Sequence, residues 1–318
     1  MKGQEKMERI LNKIKSYDTI IIHGHKRPDG DCYGAQFGLK NIIKESFPQK
    51  KVYVVGETSD FVDFVGKMDT ITDDTYQGAL SIVVDTAVKD RISDQRYTLG
   101  KEVIKIDHHI PVDQYGDLIW VDTTFPSCAQ MITYFYYKFK QELKLTQEGA
   151  IALYTGIVTD TGRFRFRGVS QLTHQLAGLL IDKGVDVEYI DNKLSKETLE
   201  MIALKGYVYS NFVTTKGFVY LKMTRDVIEK YQVTDEQAAS MVGLIGGIDG
   251  FPVWALFIEY PNEIRIRLRS SGPTIDQLAN KYGGGGHAKA AGAKLENWNE
   301  LPQFIKDVEE VVAAYQEV

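Results

Sequence analysis

The amino-acid sequence predicts an α/β protein of two domains, and three observations carry that expectation. Apolar runs of strand length recur early in the chain, at Thr19-Ile20-Ile21-Ile22, Lys51-Val52-Tyr53-Val54-Val55, Leu80-Ser81-Ile82-Val83-Val84 and Glu102-Val103-Ile104-Lys105-Ile106. They alternate with helical stretches, and near-continuous apolar strands of this kind mark a parallel sheet covered on both faces. The length of 318 residues exceeds one average domain. From about residue 200 a second set of strands follows, at Gly217-Phe218-Val219-Tyr220-Leu221, Val253-Trp254-Ala255-Leu256-Phe257-Ile258 and Glu263 to Ser270. These place an N-terminal parallel-sheet domain at 1–195, a helical linker at 196–210 and a smaller C-terminal α/β domain at 211–318.

Taken in order, Met7, Ile10, Leu11 and Ile14 recur at helical spacing, so the first element is a helix packed by one face. The strand from Thr19 delivers His25, and a helix is expected from Gly34 to Ser46. Gly56 closes the strand at Lys51 to Val55, a helical stretch follows near Phe61 to Lys67, and the strand at Leu80 to Val84 ends on Asp85. The next strand ends on Asp107-His108-His109. Ala150, Ile151, Leu153, Tyr154 and Ile157 form a helical stripe ending at Thr159-Asp160-Thr161-Gly162, with further helices at Gln171 to Ile181 and Val187 to Leu194. In open parallel sheets the ligand crevice lies beyond the strand C-termini, which is where these acids and histidines fall.

Composition excludes several classes. A net charge of −5 argues against a protein that coats long nucleic acid, because such binding draws on many Lys and Arg contacts. Cys32 and Cys128 form no CxxC pair, so neither a disulfide framework nor a structural zinc site is expected, and a reducing cytoplasm fits. The N-terminal residues lead into an amphipathic helix rather than a signal-peptide core, and no apolar run approaches membrane-spanning length. The expectation is a soluble, cytoplasmic protein.

The chemistry concentrates in His25-Lys26-Arg27-Pro28-Asp29-Gly30-Asp31. Pro28 fixes one φ angle and Gly30 permits a tight bend, so His25, Asp29 and Asp31 can converge. The alternative is an ordinary polar turn, where Pro, Asp and Gly are common. Asp85, Asp107 and Asp160 each close a strand or helix. The set His25, Asp29, Asp31, Asp85, His108 and Asp160 supplies ligands for two hard divalent cations if one carboxylate bridges. Without a metal the clustered acids would repel, although Asp85 and Asp160 could serve as caps and the two histidines as a partly buried pair.

Two further patterns point to phosphate. In Ile264-Arg265-Ile266-Arg267-Leu268-Arg269 strict alternation puts the guanidinium groups on one strand face. The glycine run at 283–286 opens His287-Ala288-Lys289-Ala290-Ala291, whose helical start would offer free N–H groups to an anion. Arg163, Arg165 and Arg167 alternate with Phe164 and Phe166, and either line a substrate path or form a surface strand with aromatics inward.

These segments together resemble one family. His25-x-x-Pro28-Asp29-Gly30-Asp31, Asp85, Asp107-His108-His109 and Asp160-Thr161-Gly162 look like the motifs of the DHH phosphoesterase superfamily. Arg269-Ser270 followed by Gly283-Gly284-Gly285-Gly286-His287 looks like its associated DHHA1 domain. Over nearly the whole chain the pattern is similar to the bifunctional oligoribonucleases and pAp phosphatases, also called nanoRNases. The resemblance implies one Mn²⁺ on His25, Asp29 and Asp85 and a second on Asp31, Asp85, His108 and Asp160, with Asp85 bridging and Mg²⁺ the alternative metal. It implies that His109 contacts the scissile phosphate or assists proton transfer, with Asp107 behind it. Arg91, Arg269, Ser270, Gly284, Gly285, Gly286 and His287 would bind substrate, in a cleft between a DHH domain and a DHHA1 domain.

The implied reaction is hydrolysis of short oligoribonucleotides and 3′-phosphoadenosine 5′-phosphate (pAp) to mononucleotides by a hydroxide shared between two metals. Long duplex nucleic acid and membranes are not expected as partners, and a homodimer is left open. Rival readings are a phosphodiesterase of cyclic or linear dinucleotides such as c-di-AMP and pApA, an inorganic pyrophosphatase, and a non-catalytic nucleotide-binding module. The sequence departs from the family at Cys32-Tyr33-Gly34-Ala35, where small residues and a serine usually follow.

Overall fold

The computed structural model describes residues 2–315. The chain divides into two compact units, Met1–Lys196 and Glu197–Val318. In the first, α1 (Lys2–Ser16) precedes β1 (Thr19–His23), α2 (Gly30–Ser46), β2 (Lys51–Val55), β3 (Leu80–Val84), β4 (Glu102–Asp107) and β5 (Leu118–Val121). Four helices follow: α3 (Cys128–Lys138), α4 (Gln147–Asp160), α5 (Gln171–Ile181) and α6 (Val187–Leu194). The strands pair in parallel in the order β2-β1-β3-β4-β5. The order reverses between β1 and β3, and that switch point is where the two flanking connections part and leave a crevice. Residues Leu80–Val84 are buried throughout, as a strand covered on both faces must be.

The sequence places the helix after His25 at Gly34, but α2 begins at Gly30. Asp29 is its N-cap, accepting hydrogen bonds from the Asp31 and Cys32 N–H groups, so capping chemistry extends the helix back into the motif. The tight bend expected at Gly30 falls instead on Arg27, with φ +53°. Gly30 is required for space, because a Cβ there would lie 2.3 Å from Thr159 Oγ1. The helix expected near Phe61 to Lys67 is reduced to a single 3₁₀ turn at Asp63–Val65, and β5 and α3 are elements that the apolar patterning does not announce.

Helices α2 and α4 touch through small residues. A Cβ on Gly34 would stand 2.5 Å from the Ala152 carbonyl oxygen, and one on Gly38 2.3 Å from Leu153 Cδ2. This close approach brings the first turn of α2 against the last turns of α4, and so Asp31 towards Asp160. Gly34→Val is expected to destabilise the protein by about 2–3 kcal/mol through overpacking, read as a lower urea midpoint.

The second unit comprises α7 (Leu199–Asn211), β6 (Val213–Thr214), β7 (Phe218–Met223), α8 (Arg225–Lys230), α9 (Asp235–Ser240), β8 (Val253–Glu259) and β9 (Ile264–Ser270), then α10 (Asp276–Lys281), β10 (Gly285–His287), β11 (Ala290–Leu295) and α11 (Leu301–Ala313). Its mixed sheet runs β10-β11-β9-β8-β7-β6. The segment expected as a linker, 196–210, is mostly α7, whose Leu204 and Val208 are fully buried in this unit's core. The glycine run does not open a helix. Gly285–His287 pairs antiparallel with Ala290–Leu295, so 283–291 is a hairpin, and the expected helical anion site is not formed there. Small residues make the hairpin compact, since a Cβ on Gly284 would overlap the Gly292 carbonyl at 1.9 Å.

Candidate metal centre

Three neighbouring parallel strands end at the same edge and deliver most of the polar residues singled out in the first unit. His25 follows β1 and is pinned by its neighbours. The Lys26 N–H donates to the Arg91 carbonyl (2.7 Å) and the Ser93 N–H to the Gly24 carbonyl (2.9 Å). The left-handed Arg27 donates its N–H to Glu57 Oε2 (2.6 Å).

Asp85 is the first residue beyond β3. It is 2% exposed and sits at φ +53°, a conformation that costs a non-glycine residue about 1–2 kcal/mol and persists only where surrounding structure imposes it. Its two oxygens face different imidazoles: Oδ2 lies 3.4 Å from His25 Nε2 and Oδ1 lies 3.3 Å from His108 Nε2. Oδ1 is buried yet has no hydrogen-bond partner among the described residues. His108 Nε2 is also 3.6 Å from Asp31 Oδ2 and 3.5 Å from Asp160 Oδ2, and His25 Nε2 is 3.7 Å from Asp29 Oδ1. The six residues expected as ligands therefore come together around Asp85.

Asp31 is aimed by α3, a helix the sequence did not reveal. Its carboxylate accepts the Cys128 N–H (2.6 Å) and the Ala129 N–H (2.8 Å) at the start of that helix. Backbone donors at a helix N-terminus are a natural seat for a carboxylate. Even so, burial and then the charges of Asp85 and Asp160 push the Asp31 carboxyl well above the usual range. Burial pushes Asp160 up to about 6, with Asp85 and Asp29 adding to it and His108 opposing. Acids held together against their own charge, beside imidazole nitrogens and an orphaned buried oxygen, fit a divalent cation. The donor set of imidazole and carboxylate suits Mn²⁺ or Mg²⁺.

His109 also adjoins the cluster, its Nδ1 3.5 Å from Asp85 Oδ1, but its shortest contact is with Asp107. Its Nδ1 lies 2.8 Å from Asp107 Oδ1, which also accepts the His109 N–H at 3.2 Å. Behind it, Asp107 Oδ2 faces Lys105 Nζ at 3.4 Å, with both residues buried. Lys105 donates to the carbonyls of Ala87 and Asp113 and lies over the Tyr115 ring at 4.4 Å. Burial alone would raise Asp107, but the bonds from His109 and the Lys105 charge hold its carboxyl below the usual range. Sequence reasoning misses Lys105. Its one signal is a lone cation inside the apolar run Val103-Ile104-Lys105-Ile106.

Arg91 is exposed, and its backbone rather than its side chain braces the His25 loop. The Arg163–Arg167 segment is a turn, not a strand: Gly162, Arg163 and Phe164 have φ of +54°, +58° and +62°. Arg163 is tied to Asp191 (2.9 Å) and Ser195 (2.7 Å). Arg163 and Arg165 help line a cavity of about 360 Å³ that also reaches Asp29 and Asp160.

In the second unit, β9 shows the expected alternation, with Ile264, Ile266 and Leu268 buried and Arg265 and Arg267 exposed. Arg269 is half-buried and donates to the Leu268 carbonyl (2.9 Å). It pairs in register with Ala290, and the Ser270 N–H donates to the Lys289 carbonyl (3.0 Å), so Arg269, Ser270 and the hairpin carrying Gly284, Gly285, Gly286 and His287 are neighbours. The Ser270 hydroxyl is engaged locally, donating to the Pro273 carbonyl (2.6 Å) and accepting the Gly272 N–H (3.1 Å).

Comparison with known proteins finds two family domains in the chain. The DHH family, N-terminal domain, matches residues 19–157, and the DHHA1 domain matches 215–314. The chain is 40% identical over 302 residues to the bifunctional oligoribonuclease and PAP phosphatase NrnA of Bacillus subtilis, covering 94% of this chain and 96% of that protein. It is 41% identical over 305 residues to the probable bifunctional oligoribonuclease and PAP phosphatase NrnA of Streptococcus mutans, covering 95% and 98% respectively. A crystal structure of an exopolyphosphatase-related protein from Bacteroides fragilis shares the fold, with a TM-score of 0.82 at 23% identity over 96% of each chain. No helix among the described residues is long and apolar enough to cross a membrane. The chain belongs to the DHH–DHHA1 phosphoesterases, within the family of bifunctional oligoribonucleases and PAP phosphatases.

Proposed function

We propose that this phosphoesterase hydrolyses short oligoribonucleotides and pAp to mononucleotides at a centre of two divalent cations, with Mn²⁺ the working metal. The observation that carries the reading is Asp85, whose oxygens face His25 on one side and His108 on the other. When bound, the cations supply Lewis-acid stabilisation of the scissile phosphate and a water activated near neutral pH. The chain's own residues do the rest. Asp85 couples the two ligand sets, and the α3 N–H groups hold Asp31 in place. His109 holds a proton at Nε2 for the leaving oxygen, while Asp107 fixes its ring, and the His109 bonds with the added charge of Lys105 hold the Asp107 carboxyl low. In the second unit, Arg269 and the Gly284–His287 hairpin take a remote phosphate of the nucleotide, since a guanidinium beside close-approaching backbone suits one.

Names of relatives at 40% and 41% identity support oligonucleotides and pAp as substrates. The dinucleotide alternative has weaker support, from a cyclic-di-AMP phosphodiesterase GdpP of Geobacillus thermodenitrificans at 23% identity over 48% of that protein. The deciding assay is release of phosphate and nucleotide from pAp, pApA, cyclic di-AMP and pyrophosphate, side by side with Mn²⁺. Turnover of cyclic di-AMP or pyrophosphate well above pAp and pApA would overturn the proposal.

Two expected results refine it. Arg269→Ala should raise KM for pAp and pApA about tenfold, a loss of about 1.4 kcal/mol, with kcat little changed. Bis-p-nitrophenyl phosphate, which has no remote phosphate, should be hydrolysed almost as before, and equal losses on both substrates would refute the anchor. Rates should peak for RNAs of about two to five nucleotides and fall about tenfold or more by twenty. An acidic protein recovers little counterion-release energy from added length. Initial rates that stay flat or climb with length would contradict this.

A further inference from the structure

We infer that Glu57 is a positioning residue for the metal centre, holding the His25–Asp29 loop in the geometry its ligands require. The inference rests on the metal-centre reading and extends it to a residue outside the ligand set. Between His25 and Asp29 the chain turns through Arg27, whose φ of +53° lies where a non-glycine residue is strained. The contact that stabilises the turn comes from outside the motif: the Arg27 N–H donates to Glu57 Oε2 at 2.6 Å, a short bond to a charged acceptor.

Glu57 is itself held. It follows Gly56 at the end of β2, where φ is +130°, and its own N–H donates to Ser93 Oγ at 2.8 Å. Ser93 in turn donates its N–H to the Gly24 carbonyl, immediately before His25 (2.9 Å), and Ile92 forms a β-bridge with His25. The Lys26 N–H is taken by the Arg91 carbonyl. The loop is thus gripped on the N–H groups of two successive residues, and Glu57 supplies the side-chain member of that grip. Release of the Arg27 N–H frees the turn to relax towards ordinary φ values. That relaxation moves His25 and Asp29 relative to Asp85, because both flank Arg27 while Asp85 is carried separately at the end of β3. Glu57 touches none of these ligands' oxygens or nitrogens, so its effect is on how well the cation is held rather than on the reacting atoms.

The test is Mn²⁺ titration by calorimetry into metal-free wild type, Glu57→Ala and Glu57→Gln, together with rates against Mn²⁺ concentration. Glu57→Ala should weaken Mn²⁺ binding about tenfold and raise the half-maximal Mn²⁺ concentration to match, about 1.4 kcal/mol. Its kcat at saturating Mn²⁺ should remain within about threefold of wild type. Glu57→Gln keeps an acceptor oxygen on the same frame and should recover most of the affinity. A lower melting temperature with unchanged Mn²⁺ affinity would make Glu57 a structural residue and overturn the inference, as would a fall in kcat at saturating metal with unchanged affinity. Wild type that binds no Mn²⁺ would overturn the metal centre itself, a failure that appears before any variant is made.

Discussion

Asp85→Asn should lower the turnover of pAp and short RNA by about 10³-fold or more, at any Mn²⁺ concentration. The expectation follows from the position of one carboxylate between the two proposed ligand sets: its oxygens lie 3.4 Å from His25 Nε2 and 3.3 Å from His108 Nε2. An amide presents one oxygen and an N–H₂ that repels a cation, so neither set keeps its geometry. Loss of several kcal/mol of transition-state stabilisation corresponds to that factor. Metal content of the purified variant should fall in parallel. Retention of a tenth of wild-type activity would refute Asp85 as the shared ligand. A companion measurement tests the strain at this residue. Asp85→Gly, which accepts φ +53° at little cost and removes an orphaned buried oxygen, should raise the melting temperature of the metal-free protein by about 2–4 °C. A protein that becomes more stable as it loses activity is the expected behaviour of a strained functional position.

The second large effect is expected at His109. Its ring is fixed through Nδ1 by Asp107, and Asp107 is held by Lys105, so Nε2 is presented for proton transfer by an assembled chain of three residues. His109→Ala should cut kcat by about 10²–10⁴-fold with Mn²⁺ affinity nearly unchanged. His108→Ala should do the reverse and lose metal, since His108 Nε2 lies within 3.6 Å of Asp31, Asp85 and Asp160. Loss of metal in the His109 variant and retention in the His108 variant would exchange the two roles. Truncating Lys105 leaves Asp107 buried without its cation, which is costly. Lys105→Met should therefore both destabilise the protein, by about 3–5 kcal/mol, and lower kcat.

Much of the site is legible because its residues stand at the ends of strands that read clearly. Continuous apolar runs announce β1, β3 and β4, and the polar residues just past each run have to fall at one edge of a parallel sheet. The conformation of the motif itself is harder to read. The start of α2 depends on Asp29 capping its own helix, a local bond that competes with the turn its Pro-Asp-Gly composition favours. The hairpin at 285–295 resembles a helix in sequence because alanine and glycine carry no periodic pattern, and only pairing with β9 decides their conformation.

By itself the sequence determined the class of fold, the polar residues that follow each strand and the set of acids and histidines that the structure brings together. Those properties are local: a five-residue apolar run and the acid behind it are read from neighbours along the chain. The tertiary structure alone decided that Asp85 stands between two imidazoles, that the α3 N–H groups hold Asp31, that Lys105 lies behind Asp107, and that Glu57 takes the Arg27 N–H. Several of these contacts join residues far apart in the chain, Asp31 to Cys128 and Arg27 to Glu57 among them. Even the short Lys105–Asp107 pair depends on burial by the surrounding core. Burial turns an ordinary acid into an orphaned or strained one, and burial is a property of the packed chain rather than of any segment of it.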